Sequence, residues 1–171
     1  METRGTITIG EVEYDCSHLN PFTVEIEPRG DARGYKVLVS FSCHTFTREA
    51  KEDDPPEFLY EEDGEVRCFC QDRYLASKSL RRLIGYHCNG KAYFSEKRNF
   101  MLIEQPLGGP PYAIFFNVEK AKTKTADAVM FVASAYEKPN LPAKSRIPSI
   151  TFRTLVHKTV WREKIQKPKR K

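Results

Sequence analysis

The stretch that decides the fold covers residues 99–139, NFMLIEQPLGGPPYAIFFNVEKAKTKTADAVMFVASAYEKP. It contains three apolar segments joined by polar or Gly/Pro-rich turns. The first segment ends at 106–111, PLGGPP, which neither a helix nor a central strand could contain. The second, 112–119, places alternate side chains on two faces, and the third, 128–136, is almost wholly apolar, like a strand covered on both faces. The stretch therefore predicts an antiparallel meander of three strands.

Segments on both sides of the meander extend the predicted sheet. Residues 35–46 and 22–27 alternate between apolar and polar side chains, which is the period of a half-buried strand. Residues 6–14 and 66–70 have the composition of shorter strands. Residues 150–157 are β-branched and alternating enough to be predicted as a strand, with a helix as the weaker alternative.

One helix is predicted at residues 73–84. Asp72 is a suitable N-cap, the segment has one apolar face, and Gly85 can end the helix. We therefore predict an α+β fold, with a mainly antiparallel sheet of about six or seven strands covered by one helix. Residues 1–157 form a single domain in this prediction, and residues 158–171 form a flexible basic tail.

The formal net charge of +5 is unevenly distributed along the chain. Residues 158–171 contain seven Lys/Arg against one Glu, which leaves the rest of the chain nearly neutral. Residues 49–65 contain nine acids against one Lys and are predicted to form a long acidic loop. Such asymmetry indicates a tail that contacts phosphate backbones or an acidic partner, with a merely solvated tail as the alternative.

The sequence also predicts a cytoplasmic protein without a membrane partner. No apolar run approaches the roughly 20 residues that span a bilayer. The first residues, METRG, lack the apolar region of a secretory signal. The five cysteines are an odd number without the spacing of a small secreted domain, which favours reduced thiols.

Residues of the types that bind zinc flank the predicted helix, namely Cys68, Cys70, His87 and Cys88. Structural zinc sites favour Cys pairs separated by two to four residues, and neither pair here has that spacing. Because buried apolar cysteines are common, we predict no metal and no cofactor. Cys43 and His44 are neighbours on a predicted strand, so their side chains point to opposite faces and do not form a nucleophile–base pair.

Four residues supply the side-chain types that metal-free RNA cleavage requires. Such a reaction needs a base for the 2′-hydroxyl proton, an acid for the leaving oxygen and cations for the phosphorane. His44 is the predicted base, Arg67 and Arg73 are predicted phosphate ligands, and Tyr136 is a predicted proton donor or stacking group. The alternative is that Arg73 and Tyr74 only anchor the start of the helix and that Tyr136 only closes the meander. The cations predicted to bind nucleic acid are Lys78, Arg81, Arg82, Lys164, Lys167, Lys169, Arg170 and Lys171.

Short motifs give the chain a resemblance to known proteins: SCHTF at 42–46, Arg67-x-Phe69, Arg73-Tyr74 with Ser77, and SAY at 134–136. With these motifs it resembles an uncharacterised bacterial family whose members are labelled stationary phase growth adaptation proteins, over roughly residues 37–137. That label implies no established activity. More distantly, a helix followed by a three-stranded meander is similar to RelE- and BrnT-type toxins. Those small basic proteins cleave RNA and are neutralised by an antitoxin, although no toxin residue matches this sequence position by position.

These observations predict an RNA-interacting protein, in its narrowest form a metal-independent endoribonuclease of toxin type. RNA and an antitoxin, or another protein, are the partners that this hypothesis names. The alternative is a non-enzymatic interaction module that docks onto a larger assembly through its sheet, its acidic loop and its basic tail. The sequence leaves open whether the protein is an enzyme.

Overall fold

The structure is a computed structural model that describes residues 3–30, 32–97 and 99–168. Within these residues there are twelve strands and three α-helices. The strands are β1 (Thr6–Ile9), β2 (Val12–Asp15), β3 (Phe22–Ile26), β4 (Tyr35–Phe41), β5 (Thr47–Glu49), β6 (Leu59–Glu62), β7 (Glu65–Phe69), β8 (Lys91–Phe94), β9 (Phe100–Glu104), β10 (Tyr112–Lys120), β11 (Ala128–Glu137) and β12 (Ser149–Thr151). The helices are α1 (Gln71–Ser77), α2 (Leu80–His87) and α3 (Phe152–Val160).

A seven-stranded sheet forms the centre of the molecule, in the order β12-β8-β9-β10-β11-β4-β3. The predicted meander is confirmed, because β10 pairs antiparallel with both β9 and β11. On its other side β11 pairs in parallel with β4, with Ala128 opposite Val37 and Val132 opposite Phe41. The sheet is therefore mixed, and its one parallel pair joins two segments that are far apart in the sequence.

The predicted arrangement of one sheet covered by one helix is wrong. Beside the large sheet, the described residues form a β1–β2 hairpin and a three-stranded sheet in the order β5-β7-β6, and three helices replace the predicted one. The third sheet includes β6, which lies inside the predicted acidic loop. The sequence of β6, LYEE, lacks the apolar run that marks a strand, and pairing with β7 orders it. The local sequence pattern therefore predicted most of the strands, but it did not predict which strands pair in which sheet.

The predicted helix at 73–84 is two helices separated by a tight turn. The Ser77 hydroxyl donates to the Tyr74 carbonyl at 2.6 Å, and the following amides bond three residues back, from Lys78 to Leu75 and from Ser79 to Ala76. Side-chain competition of this kind interrupts a regular helix. The N-cap of the first helix is Cys70 rather than Asp72, and Gly85 lies inside α2 instead of ending it.

The prediction of a strand at 150–157 is also wrong beyond Thr151. Thr151 caps α3, since its hydroxyl accepts a hydrogen bond from the Thr154 amide at 3.1 Å. The buried side chains of α3 follow a helical period and point to one face; they are Phe152, Leu155, Val156 and Val160. The helix crosses the predicted boundary between residues 157 and 158, and Ile165 beyond it packs against the core.

The main core lies between one face of the large sheet and the helices. Leu80 and Ile84 of α2 and Phe152 of α3 pack in the same cluster as Ile114 and Phe116 of β10. The opposite face of the sheet, which we call the outer face, carries a second, smaller cluster of Met101, Ile103, Ala113 and Phe115. No helix among the described residues is long and apolar enough to cross a membrane.

Candidate functional site

Two depressions lie side by side on the outer face, on either side of the middle of β11. The first, which we call the His44 cleft, has a volume of about 800 Å³ and is lined among others by Arg4, Ser40, Ser42, His44, Glu65 and Phe131. The second, which we call the aromatic pocket, has a volume of about 290 Å³ and is lined among others by Phe94, Met101, Phe115, Tyr136, Leu141 and Ile147. Ala133 of β11 borders the cleft and the next residue, Ser134, borders the pocket.

His44 stands in a short 3-10 turn, Cys43–Thr45, that follows β4. Ser42 begins this turn, because its hydroxyl accepts a hydrogen bond from the His44 amide at 3.1 Å. The imidazole Nε2 lies 3.0 Å from a carboxylate oxygen of Glu65, and the side chain is 31% exposed. His44 is therefore an accessible base whose ring is oriented by a carboxylate.

Arg67 reaches the same carboxylate from β7. Its Nη1 donates to Glu65 Oε1 at 2.7 Å and its Nε donates to Thr47 Oγ1 at 2.8 Å. The bonds from His44 and then Arg67 lower the pKa of Glu65 below its ordinary value. The Arg67 side chain is only 10% exposed, so its guanidinium serves acceptors within the protein.

Arg73 enters the site from α1. Its Nη1 donates to the backbone carbonyls of Thr47 at 2.7 Å and His44 at 3.2 Å. Its guanidinium carbon lies 4.8 Å from the centre of the Tyr136 ring, which is cation–π distance. Burial lowers the pKa of Arg73 from its ordinary value. Arg73 therefore joins the His44 turn, β5 and the end of β11.

The four predicted catalytic residues form one connected network, but their side chains do not point to one common site. The His44 imidazole lines the cleft, whereas the Tyr136 ring lines the aromatic pocket. The Tyr136 ring also stacks on Phe115, with ring centres 5.2 Å apart. Arg67 and Arg73 hold the network together and face protein acceptors.

The cations predicted to bind nucleic acid lie in two different places. Lys78, Arg81 and Arg82 lie on the helix side of the sheet, where Arg81 donates to the carbonyls of His18 and Asn20. Near the C-terminus Lys164 is exposed, and Lys167 lines the aromatic pocket. Lys169, Arg170 and Lys171 lie outside the described residues.

The aromatic pocket is surrounded by four cations, of which the sequence predicted Lys167 but not the other three. Lys97, Lys138, Arg146 and Lys167 line it together with a single acid, Glu96. None of these four cations takes part in a salt bridge among the described residues. They come from three separate loops, so no spacing in the sequence relates them. Lys138 directly follows β11, and its Nζ lies 5.5 Å from the centre of the Phe115 ring.

The candidate zinc ligands lie in different surroundings. His87 Nε2 pairs with Glu104 Oε2 at 2.6 Å, and burial raises the pKa of the Cys88 thiol well above its ordinary value. Cys68 lies on β7 in the third sheet. Across residues 3–30, 32–97 and 99–168, no three His, Cys, Asp or Glu side chains gather in a metal-binding arrangement.

The family of this chain follows from a match to a family model. A model of the YjaZ family matches residues 6–160. The chain belongs to the YjaZ family. Searches of curated proteins and of solved structures find no match. The YjaZ match runs from β1 to the end of α3, so it includes His44, Arg67, Arg73 and Tyr136, whereas Lys167 lies beyond it.

Proposed function

We propose that this YjaZ-family protein interacts with RNA, and that it binds a single strand through the aromatic pocket. The observation that supports this proposal is the combination of an aromatic floor with a rim of cations that form no salt bridge within the part of the chain that the structure describes. Phe115 and Tyr136 form the floor, and Lys97, Lys138 and Arg146 belong to the rim. Proteins that hold single-stranded nucleic acid combine these two features, because bases pack on aromatic rings and phosphates on Lys and Arg.

A binding measurement with a short, fluorescently labelled single-stranded RNA tests this proposal. Affinity should fall steeply between low and moderate salt, because phosphate contacts release counterions. The double variant Lys97→Ala/Arg146→Ala removes two exposed rim cations and should weaken binding at least about tenfold. Its salt slope should also fall by about 1.4, at roughly 0.7 for each single-strand phosphate contact.

The matched control is Lys122→Ala/Lys124→Ala, which removes two exposed cations from the turn between β10 and β11. This variant should bind RNA almost as tightly as the parent protein. Absence of binding at low salt, or equal losses in the two double variants, would contradict the proposal.

Metal-independent RNA cleavage is a narrower proposal, supported by the accessible His44 imidazole beside Glu65. In this mechanism Glu65 orients the ring and His44 accepts the 2′-hydroxyl proton. The 2′-oxygen attacks the adjacent phosphorus and forms a 2′,3′-cyclic phosphate, while the P–O5′ bond breaks and the 5′-oxygen leaves with a proton from water. Arg67 and Arg73 act by holding Glu65 and the His44 backbone, and Tyr136 contacts the neighbouring nucleotide. His44→Ala should abolish cleavage without lowering the melting temperature, since the Arg73 bond uses the backbone carbonyl. Cleavage should survive a chelator, and an unchanged rate in His44→Ala would remove this residue from the mechanism.

The competing proposal is a non-enzymatic module that binds a protein, such as an antitoxin, through the outer face. Phe131 on that face is 44% exposed, which supplies an apolar contact. Binding of such a partner would depend little on salt, whereas RNA binding would depend on it strongly. Both proposals place the protein in the cytoplasm, where its five free thiols would stay reduced.

A further inference from the structure

We propose that the aromatic pocket recognises one nucleotide whose phosphate group ends there, either a free nucleotide or the phosphorylated end of an RNA strand. This inference rests on the proposed function, because it takes the pocket to be the nucleotide site. In addition, only one base with its sugar enters the pocket, and the cations bind the terminal phosphate group.

The size of the pocket limits what enters it. Its volume of about 290 Å³ is at the lower end of ligand pockets, which run from about 300 to 1,000 Å³. Phe115, Tyr136, Leu141 and Ile147 line the pocket, and Leu141 and Ile147 also pack against the apolar cluster of the outer face. A pocket of this volume admits one base with its sugar, and a continuous strand would have to leave it again.

The net charge of the pocket lining suits a phosphate group that carries more than one negative charge. Four cations and one acid give the lining a net charge of +3. An internal phosphodiester brings one negative charge, whereas a terminal phosphate brings about −1.5 to −2 at neutral pH and a diphosphate brings more. Because the cations have no salt-bridge partner among the described residues, this charge is available to a ligand.

Polar groups at the same pocket complete the recognition of a nucleotide. The side chains of Ser134 and Asn140 line it beside the aromatic floor and can bond the edge of a base or the hydroxyls of a sugar. Ser95 and Asn99, which bond each other, line the side formed by the turn between β8 and β9.

The larger His44 cleft does not suit the same ligand. Its charged lining consists of Arg4 against Glu62, Asp63 and Glu65, and Arg4 is already bound to Glu62. A phosphate monoester there would meet the carboxylates of Asp63 and Glu65, because Arg4 neutralises only Glu62. The charge of the two depressions therefore assigns the phosphorylated nucleotide to the aromatic pocket.

Calorimetric titration of the full chain with adenosine, AMP and ADP tests this inference. Affinity should rise from adenosine to AMP to ADP, with ADP at least about tenfold tighter than adenosine. Lys97→Ala/Arg146→Ala should remove most of that difference, and Lys122→Ala/Lys124→Ala should keep it. Equal affinity for adenosine and ADP would overturn the inference. Inorganic diphosphate that binds as tightly as ADP would overturn it as well, since the pocket would then be selecting charge alone.

Two RNA octamers that differ only in a 5′-phosphate identify the source of the nucleotide. Tighter binding of the phosphorylated octamer, by about tenfold or more, would assign the pocket to RNA ends. Equal binding of the octamers together with tight ADP binding would assign it to free nucleotides. RNA binding that depends on Lys97 and Arg146, with no ADP binding and no effect of the 5′-phosphate, would overturn the inference and leave the proposed function standing.

Discussion

Arg73 connects three parts of the chain that are distant in sequence. Its guanidinium donates to the carbonyls of His44 and Thr47 and lies over the ring of Tyr136. A guanidinium with these partners is a structural group, because its Nη1 donates to two backbone carbonyls and its carbon lies over an aromatic ring. Loss of the side chain would leave two carbonyls without their donor in a partly buried place.

We expect Arg73→Ala to lower the free energy of unfolding by about 2 kcal/mol. Arg73→Lys should recover only part of the loss, because an ammonium lacks the planar surface that the guanidinium places over the Tyr136 ring. Urea denaturation measures both effects, with the exposed Arg82→Ala as control within about 0.5 kcal/mol of the parent. If the Arg73→Ala variant is as stable as the parent protein but has lost RNA affinity, Arg73 binds phosphate directly and is not a structural group.

Glu62 is held ionised by its contact with Arg4. Hydrogen bonds from Arg4, with Arg4 Nη2 at 2.8 Å and a further bond from the Tyr60 hydroxyl at 3.1 Å, lower the pKa of Glu62 from 4.5 to about 2. The unfolded chain therefore takes up this proton at a higher pH than the folded chain does. The stability that the contact supplies is complete above about pH 4.5 and is lost as the pH falls towards 2.

Glu62→Gln should lower the free energy of unfolding by about 2 kcal/mol at pH 7. The difference from the parent protein should shrink as the pH falls from about 4.5 towards 2, where the parent carboxylate is also protonated. Urea unfolding at several pH values measures it, and the exposed Glu61→Gln serves as the control. A difference that stayed constant down to pH 2 would show that charge at Glu62 is not its source.

Among the elements, α2 contains a glycine at a position where neither the backbone conformation nor the available space requires one. Gly85 lies in the helix interior, its φ is not positive, and a Cβ placed on it would meet nothing within 4 Å. A glycine in such a place costs stability because it loses more backbone freedom on folding than alanine does.

Gly85→Ala should raise the free energy of unfolding by about 0.5–1 kcal/mol. The matched control is Gly64→Ala, which also meets nothing within 4 Å but has a φ of +79° in the turn between β6 and β7. That variant should lose about 1 kcal/mol, because only its backbone conformation is strained. The two changes, measured in the same urea titration, should have opposite signs.

For the molecule as a whole, stability should be highest at the centre of the large sheet. There β10 is paired on both sides, and its residues Ile114 and Phe116 are completely buried. Among the described strands, those of the β1–β2 hairpin pair only with each other, and most of their side chains are half-buried or exposed. Regions with such different burial open with different free energies.

Native-state hydrogen exchange should therefore show the slowest amides in β10, close to the free energy of global unfolding. Amides of β1 and β2 should exchange through local opening at a clearly lower free energy. The parallel pair of β4 and β11 should follow β10, because it shares the same core. Equal protection of the hairpin and β10 would mean that the hairpin opens only when the whole protein unfolds.

The sequence by itself determined the elements whose signals are local. The meander of β9, β10 and β11 follows from alternating side chains and the Pro106–Pro111 turn, both of which act within a few residues. The sequence also selected His44, Arg67, Arg73 and Tyr136, which the structure joins in one network, although their roles in RNA chemistry remain predictions. Helical structure near residues 73–84 was indicated, but a hydroxyl at Ser77 divided it.

Tertiary structure decided the features that depend on contacts between distant segments. β-branched composition favoured a strand at 150–157, yet an apolar face packed on β10 made most of it α3. The parallel pairing of β4 with β11, and the separation into three sheets, depend on closing long loops, which a local pattern does not encode. The rim of the aromatic pocket has the same origin, because its four cations belong to three loops that only the packed outer face brings together.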